Sequence, residues 1–277
     1  MKTPSLSAAA LLAALVLPGK FAPADTISSA DSFLPAVHIN GASGVYRTDV
    51  TIFNPDPSLA AVVDLYYTEA DRDGTTRPVH RIPGNLAPLA SVTFSDIVLS
   101  TFGLASSYGL LEIKSSPATS SKETPVHVTS NTYNAAGAVP GTYGQFSPGQ
   151  PSRNSVGFDN SVAGDLYVTG IPNDESHRTN AVVMNPTGIP LEAGVRLWDA
   201  SGIPYKAVLV SVPPYSLHQL NDIFNGDFAS ASPPPGGPWR LNVFVNVPNG
   251  ARALCYATVT DLRTGDPYLL TGQLARP

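Results

Sequence analysis

One segment of this chain is written twice. Residues 47–55 read R-T-D-V-T-I-F-N-P, and residues 178–186 read R-T-N-A-V-V-M-N-P, with Arg, Thr, Asn and Pro identical in register. The agreement continues downstream. Each copy next has an aromatic-bearing stretch, Leu65-Tyr66-Tyr67 in one and Arg196-Leu197-Trp198 in the other. Each then has an acidic glycine turn (71–74 and 199–202), a proline-led run into Asp-Ile (88–97 and 214–223), and a long strand-like ending (126–133 and 254–260). A repeat of about 110 residues is domain-sized rather than one turn of a solenoid. Whatever the chain folds into, it does so twice, and each copy must close its own core.

Periodicity says that the unit is made of strands. Tyr46, Thr48, Val50 and Ile52 share one face of an extended segment, and Arg47, Asp49, Thr51 and Phe53 share the other. Leu241, Val243 and Val245 alternate with Asn242, Phe244 and Asn246 in the same way. β-Branched and aromatic residues fill these runs, as pleated, half-buried surfaces require. Glycine and proline supply 23 and 27 of the 277 residues, too many for long helices. Asn54-Pro55 and Asn185-Pro186 end strands because proline cannot donate to a ladder, and Asp73-Gly74 suits a hairpin. Helix is expected only in short turns, one capped by Ser95 and stopped by Gly103, another capped by Asn221. The expected fold is all-β: two tandem immunoglobulin-like β-sandwich domains, spanning 33–147 and 161–277. Residues 148–160, rich in Pro, Gly, Ser and Asn, are expected to be a flexible linker, and 114–125 a mobile loop.

The first 24 residues read as a secretory signal. Lys2 starts it, an apolar run fills 8–17, and Ala22-Pro23-Ala24 offers small residues for cleavage. The run is shorter than the roughly 20 residues of a membrane span. Localisation is therefore expected to be extracellular or periplasmic. Cleavage removes two lysines and no acid, taking the formal charge from −5 to −7. That sign argues against nucleic acid as a partner. The single cysteine, Cys255, excludes an intrachain disulfide; in the strand-like run 254–259 it reads as a small buried hydrophobe.

Catalytic signatures are missing from the sequence. It has no G-x-S-x-G elbow, no H-E-x-x-H, no Cys/His zinc spacing and no glycine-rich phosphate loop. The five histidines are dispersed, and His177 and His218 align with Tyr46 and Val92 of the other copy. The chain is expected not to be an enzyme and to use no cofactor. Asp71 and Asp73 are a weak calcium candidate; the matching turn retains only Asp199, which favours a plain hairpin. Arg47 and Arg178 stand in both copies, either as strand residues bonded to neighbouring carbonyls or as contacts for an anion or glycan. Tyr67 and Trp198 are candidates for an exposed aromatic platform. Asn54 and Asn185 are expected to bond local backbone.

The Arg-Thr-Asp/Asn start, the Asn-Pro stop, the Asp-Ile turn and the Gly-Thr-Tyr-Gly-Gln-Phe ending at 141–146 resemble tandem β-sandwich repeats of secreted, largely uncharacterised bacterial proteins. The resemblance covers 34–277. It implies an immunoglobulin-like fold and transfers no catalytic residues. Copy two departs from it, with Tyr-Leu-Leu-Thr-Gly-Gln at 268–273. The function expected is that of a secreted, non-catalytic structural or interaction protein, acting in adhesion or assembly. Its partner would be a protein or polysaccharide of the cell envelope or extracellular space. A carbohydrate-binding module and a secreted hydrolase are the alternatives, and self-association through exposed strand edges is a further one.

Overall fold

The computed structural model describes residues 28–41, 44–136, 144–158, 164–231 and 233–275. The expected signal segment, residues 42–43 and the first half of the 141–146 motif lie outside them. The chain is an all-β, sandwich-like protein of antiparallel sheets. Its first half contains β1 (Asp31–Gly41), β2 (Gly44–Phe53), β3 (Ala61–Glu69), β4 (Val79–Arg81), β5 (Ser91–Phe94), α1 (Ile97–Phe102), β6 (Ser107–Pro117), β7 (His127–Asn134), β8 (Gly144–Pro148) and β9 (Gln150–Pro151). The second contains β10 (Val156–Gly157), β11 (Asp165–Asn173), β12 (His177–Met184), β13 (Leu191–Trp198), β14 (Pro204–Val212), β15 (Leu217–Leu220), β16 (Gly236–Val245), β17 (Arg252–Asp261), β18 (Pro267–Thr271) and β19 (Gln273–Ala275). No helix among the described residues is long and apolar enough to cross a membrane.

Strand order is the same in the two halves. The orders β4-β3-β6-β1 and β5-β2-β7-β8 in the first are matched by β14-β13-β16-β11 and β15-β12-β17-β18 in the second. The halves differ at one corner. β2 pairs with β1 up to Arg47 and with β5 from Val50 onward, so the first half is a single sheet folded over on itself. In the second half the register of β11 shifts after Thr169 and again after Ile171, β11 and β12 do not pair, and two separate sheets result. Such irregularities bend a strand and end its pairing.

Alternation puts one face of every long strand inside. Leu34, Val50, Ile52, Val63, Leu65, Leu111, Ile113 and Val128 close the first core; Leu166, Val183, Val195, Leu197, Leu241, Val243 and Cys255 belong to the second. Each fully buried aliphatic side chain stabilises its half by about 1.5–3 kcal/mol. The repeated asparagines close corresponding loops. Asn54 donates to the carbonyls of Leu59, Leu86 and Ala87, and Asn185 to those of Ile189, Val212 and Pro213; each is fully buried.

Several local expectations are corrected. The described part of the linker, 148–158, is pinned rather than flexible: β9 pairs with β1 of the first half and β10 with β17 of the second. Its Pro/Gly composition limits ladder length without preventing short pairings. β6 extends through Pro117 into the expected mobile loop, because β3 pairs with it as far as Ala61↔Pro117. The turn at 95–103 is capped differently from expectation. Asp96 occupies the capping position in a left-handed conformation (φ 47°) with no side-chain cap, while Gly103 ends the helix as anticipated. After Asn221 the chain makes turns, and the short 3-10 segment Ala229–Ala231 is the only helical piece there.

Candidate functional site

The two halves meet face to face. Outward positions of β12, β15 and β17 form rungs by register: Leu217, Met184 and Leu254 in one, then Gln219, Val182 and Tyr256, then Asn180 with Thr258, then Arg178 with Thr260. The face thus runs from apolar to polar along the strands. Its apolar end packs on Phe33 and Leu110, outward residues of β1 and β6 in the first half. Loop residues lock the contact. The backbone N–H groups of Asp71 and Gly74 donate to the carbonyls of Leu217 and Pro214, and Ser216 Oγ donates to the carbonyl of Glu69. The Arg77 guanidinium lies 3.8 Å from the Tyr215 ring centroid and pairs with the buried Glu112. Burial lowers the Arg77 pKa to about 10, so it stays charged near neutral pH.

Where the polar rungs begin, the halves part into a cleft of about 660 Å³. Arg178, Asn180, Gln219 and Thr258 stand on one wall, with Tyr108, Asn134 and Gln145 across from them. A cleft of this size falls within the range of small-molecule sites. Burial raises the Tyr108 and Tyr256 phenols well above their usual range, keeping them neutral, and the Tyr108 hydroxyl has no hydrogen-bond partner among the described residues. Asp222 supplies a carboxylate, and neither histidine nor cysteine occurs among the described lining residues.

The two repeated arginines separate here. Arg47 donates to the carbonyls of Ile39 (3.1 Å) and Tyr46 (2.8 Å) and to Asn40 Oδ1 (2.5 Å), and its Nε lies 3.3 Å from Asp96. Asp96 also accepts from His38 at 2.8 Å. That arginine is a strut. Arg178 occupies the equivalent strand position, is exposed, and has no hydrogen-bond or ion-pair partner among the described residues. The difference is local. Asn180 replaces Asp49 as acceptor for the backbone N–H of the following turn, and the Asp222 carboxylate is engaged by Asn225 Nδ2 instead of an arginine.

The other sequence candidates fall elsewhere. Tyr67 is corrected from platform to core: it is 5 % exposed, with its hydroxyl 2.9 Å from Ser107 Oγ, because parity on β3 turns it inward with Val63 and Leu65. Trp198 lies half-buried on the opposite sheet of the second half, away from the cleft. Asp71 and Asp73 do not converge. Asp71 pairs with His218 across the interface at 2.8 Å, and Asp73 caps the N–H of Thr75. No group of three or more His, Cys, Asp or Glu side chains among the described residues is arranged to hold a metal.

Asn180, Gln219, Thr258 and Tyr108 were not singled out from the sequence. Their signal is the change from Arg178 and Asn180 to Val182 and Met184 at outward positions of one strand. Apolar outward residues demand a cover, and the polar ones mark where that cover ends.

No protein-family model matches the chain, and no curated protein is similar to it. Among solved structures, a lectin of Pleurotus ostreatus in its apo form aligns with 9 % identity over 90 % of this chain and 84 % of that one, at a TM-score of 0.18. An alignment at that score establishes no common fold.

Proposed function

We propose that the protein is an exported, non-catalytic interaction protein, built as a tandem pair of immunoglobulin-like sandwiches, that binds a polysaccharide segment of the cell envelope or extracellular space in the cleft between its halves. One observation carries this reading: the cleft is walled by amide, hydroxyl and tyrosine side chains around an arginine with no partner among the described residues. Convergent donors and acceptors on a fixed frame suit a hydroxyl-rich ligand, since little ordering cost remains at binding. The adhesion or assembly role follows from a module that binds and does not turn over.

The test is retention of residues 25–277 on insoluble polysaccharides and on envelope protein fractions. Retention on a polysaccharide that is lost in Arg178→Gln and Asn180→Ala, with unchanged melting curves, supports the reading. Retention only on envelope protein, or polysaccharide retention indifferent to both substitutions, overturns it.

A further inference from the structure

The outer face of β13, β16 and β11 is a second, different surface. Register places Trp198, Arg240 and Thr169 on one rung, Arg196, Asn242 and Tyr167 on the next, and Gly194 with Phe244 on a third. Gly194 makes room there: a Cβ would stand 2.1 Å from Phe244 Cζ, and without one the ring lies across β13. The Arg196 guanidinium is 5.3 Å from the Phe244 centroid and 5.8 Å from that of Trp198, and Arg240 is 5.4 Å from Trp198. Neither arginine is among the ion pairs of the described residues.

A cavity of about 330 Å³ opens on this face, lined by Arg196, Asn242, Phe244, Asp165 and Phe158. Asn242 is only 2 % exposed, and its Nδ2 has no hydrogen-bond acceptor among the described residues. Trp198 Nε1 and Arg240 Nε are likewise buried without acceptors. Buried donors without partners are rare in folded proteins, and here three of them, counted among the described residues, occur on one face beside two arginines that form no ion pair there.

We propose that this face binds a carboxylate-bearing sugar, the acidic unit of a polysaccharide. A guanidinium matches a carboxylate in a planar, two-bond geometry, and an arginine held against an aromatic ring has already lost part of its rotamer freedom. The Phe244 ring offers a flat apolar surface to the C–H face of a sugar. Asp165, which accepts from the Tyr167 hydroxyl at 3.3 Å, provides an acceptor for a ligand hydroxyl, and the Asn242 amide provides a donor. An acidic peptide side chain brings the carboxylate without the adjoining ring of hydroxyls, so the sugar is favoured. The chain carries a net charge of −5, so attraction of an anion here has to come from these two arginines locally.

The experiment is calorimetric titration of residues 25–277 with tri-galacturonic acid, neutral maltotriose and a tri-glutamate peptide, at low and high salt. The wild type should bind the acidic sugar, more weakly at high salt, and bind maltotriose far less. Arg196→Gln should weaken that binding at least about tenfold, the scale of one charge-assisted hydrogen bond, and Trp198→Phe should weaken it less. Arg178→Gln, which removes the cleft's own cation, should retain the Arg196-dependent part of the binding, which separates failure of this site from failure of the cleft. Thermal melting confirms that each variant is folded. Four results would each overturn the proposal: no binding of the acidic sugar by folded wild type, unchanged affinity in Arg196→Gln, loss in Arg178→Gln alone, or preference for the peptide.

Discussion

Replacing Asn185 by alanine is expected to remove about 3–5 kcal/mol of stability. The side chain is fully buried. Its Nδ2 donates to the carbonyls of Ile189 at 2.8 Å, Val212 at 3.2 Å and Pro213 at 3.0 Å. Its Oδ1 accepts from the N–H of Thr187 at 3.0 Å and the Thr187 hydroxyl at 2.7 Å. A typical hydrogen bond contributes about 1 kcal/mol net, and a buried group left unpaired costs about 1–3 kcal/mol. The Val212 bond is buried, and its carbonyl would keep most of that penalty; the others are part-buried, and water can restore some of their bonding. Asn185→Asp separates hydrogen bonding from shape. Aspartate has the same outline and no donors, and it would aim an anion at three carbonyls, so it should be at least as damaging as alanine. The assay is urea unfolding followed by tryptophan fluorescence, which reports the second half because Trp198 and Trp239 are the only tryptophans. Retained stability within about 1 kcal/mol in Asn185→Ala, or wild-type stability in Asn185→Asp, would refute the reasoning.

Met184→Lys introduces an unpaired ammonium into the apolar cluster between the halves. It should cost about 3 kcal/mol or more in denaturation and speed proteolytic cleavage of the 148–158 connection. Burial raises the Cys255 thiol to about 12, so a thiolate-trapping reagent at pH 8 should label it only after denaturation; fast native labelling would contradict its packing. The Asp174 carboxyl should titrate below 3.8 in a carbon-detected NMR series, chiefly through its hydrogen bond with His177, and return upward in His177→Ala. The sign follows: with the folded value lowered, this carboxylate's contribution is present above about pH 4 and disappears as pH falls through the folded value.

The strand content was legible because alternation is a local property. Tyr46, Thr48, Val50 and Ile52 reveal β2 with no knowledge of its neighbours. Asn54 and Asn185 were legible for the same reason, since each bonds the loop it terminates. The rigid connection was not. Composition at 148–158 signals turns, yet the pairing partners of Gln150 and Val156 lie 117 and 97 residues away, at Phe33 and Ala253. Tyr67 shows a different limit. Two adjacent aromatics must face opposite ways, but only the register of β3 with β6 tells which one is inside. The cleft depended on a third kind of information, because its described walls come from nine strands whose juxtaposition is set by packing between halves.

Comparing register-equivalent positions explains why one face of one half became the interface. In the second half the outward rungs are Met184 with Leu254 and Val182 with Tyr256; in the first they are Phe53 with His127 and Thr51 with Thr129. The first set is apolar and needs a cover. The second is mostly polar and satisfies itself at the surface, with Phe53 stacked on His127 and Thr51 bonded to Thr93. The arginines diverge in the same direction. Arg47, on the uncovered face, is tied down by Asp96 and three other acceptors, whereas Arg178, next to the cover, has no partner among the described residues where the covering half stops. An unpaired guanidinium at the mouth of a preformed cleft gains nothing for folding. It is exposed and solvated, so its lack of a partner costs folding little, and its position follows from where the cover stops rather than from a need of the strand that carries it.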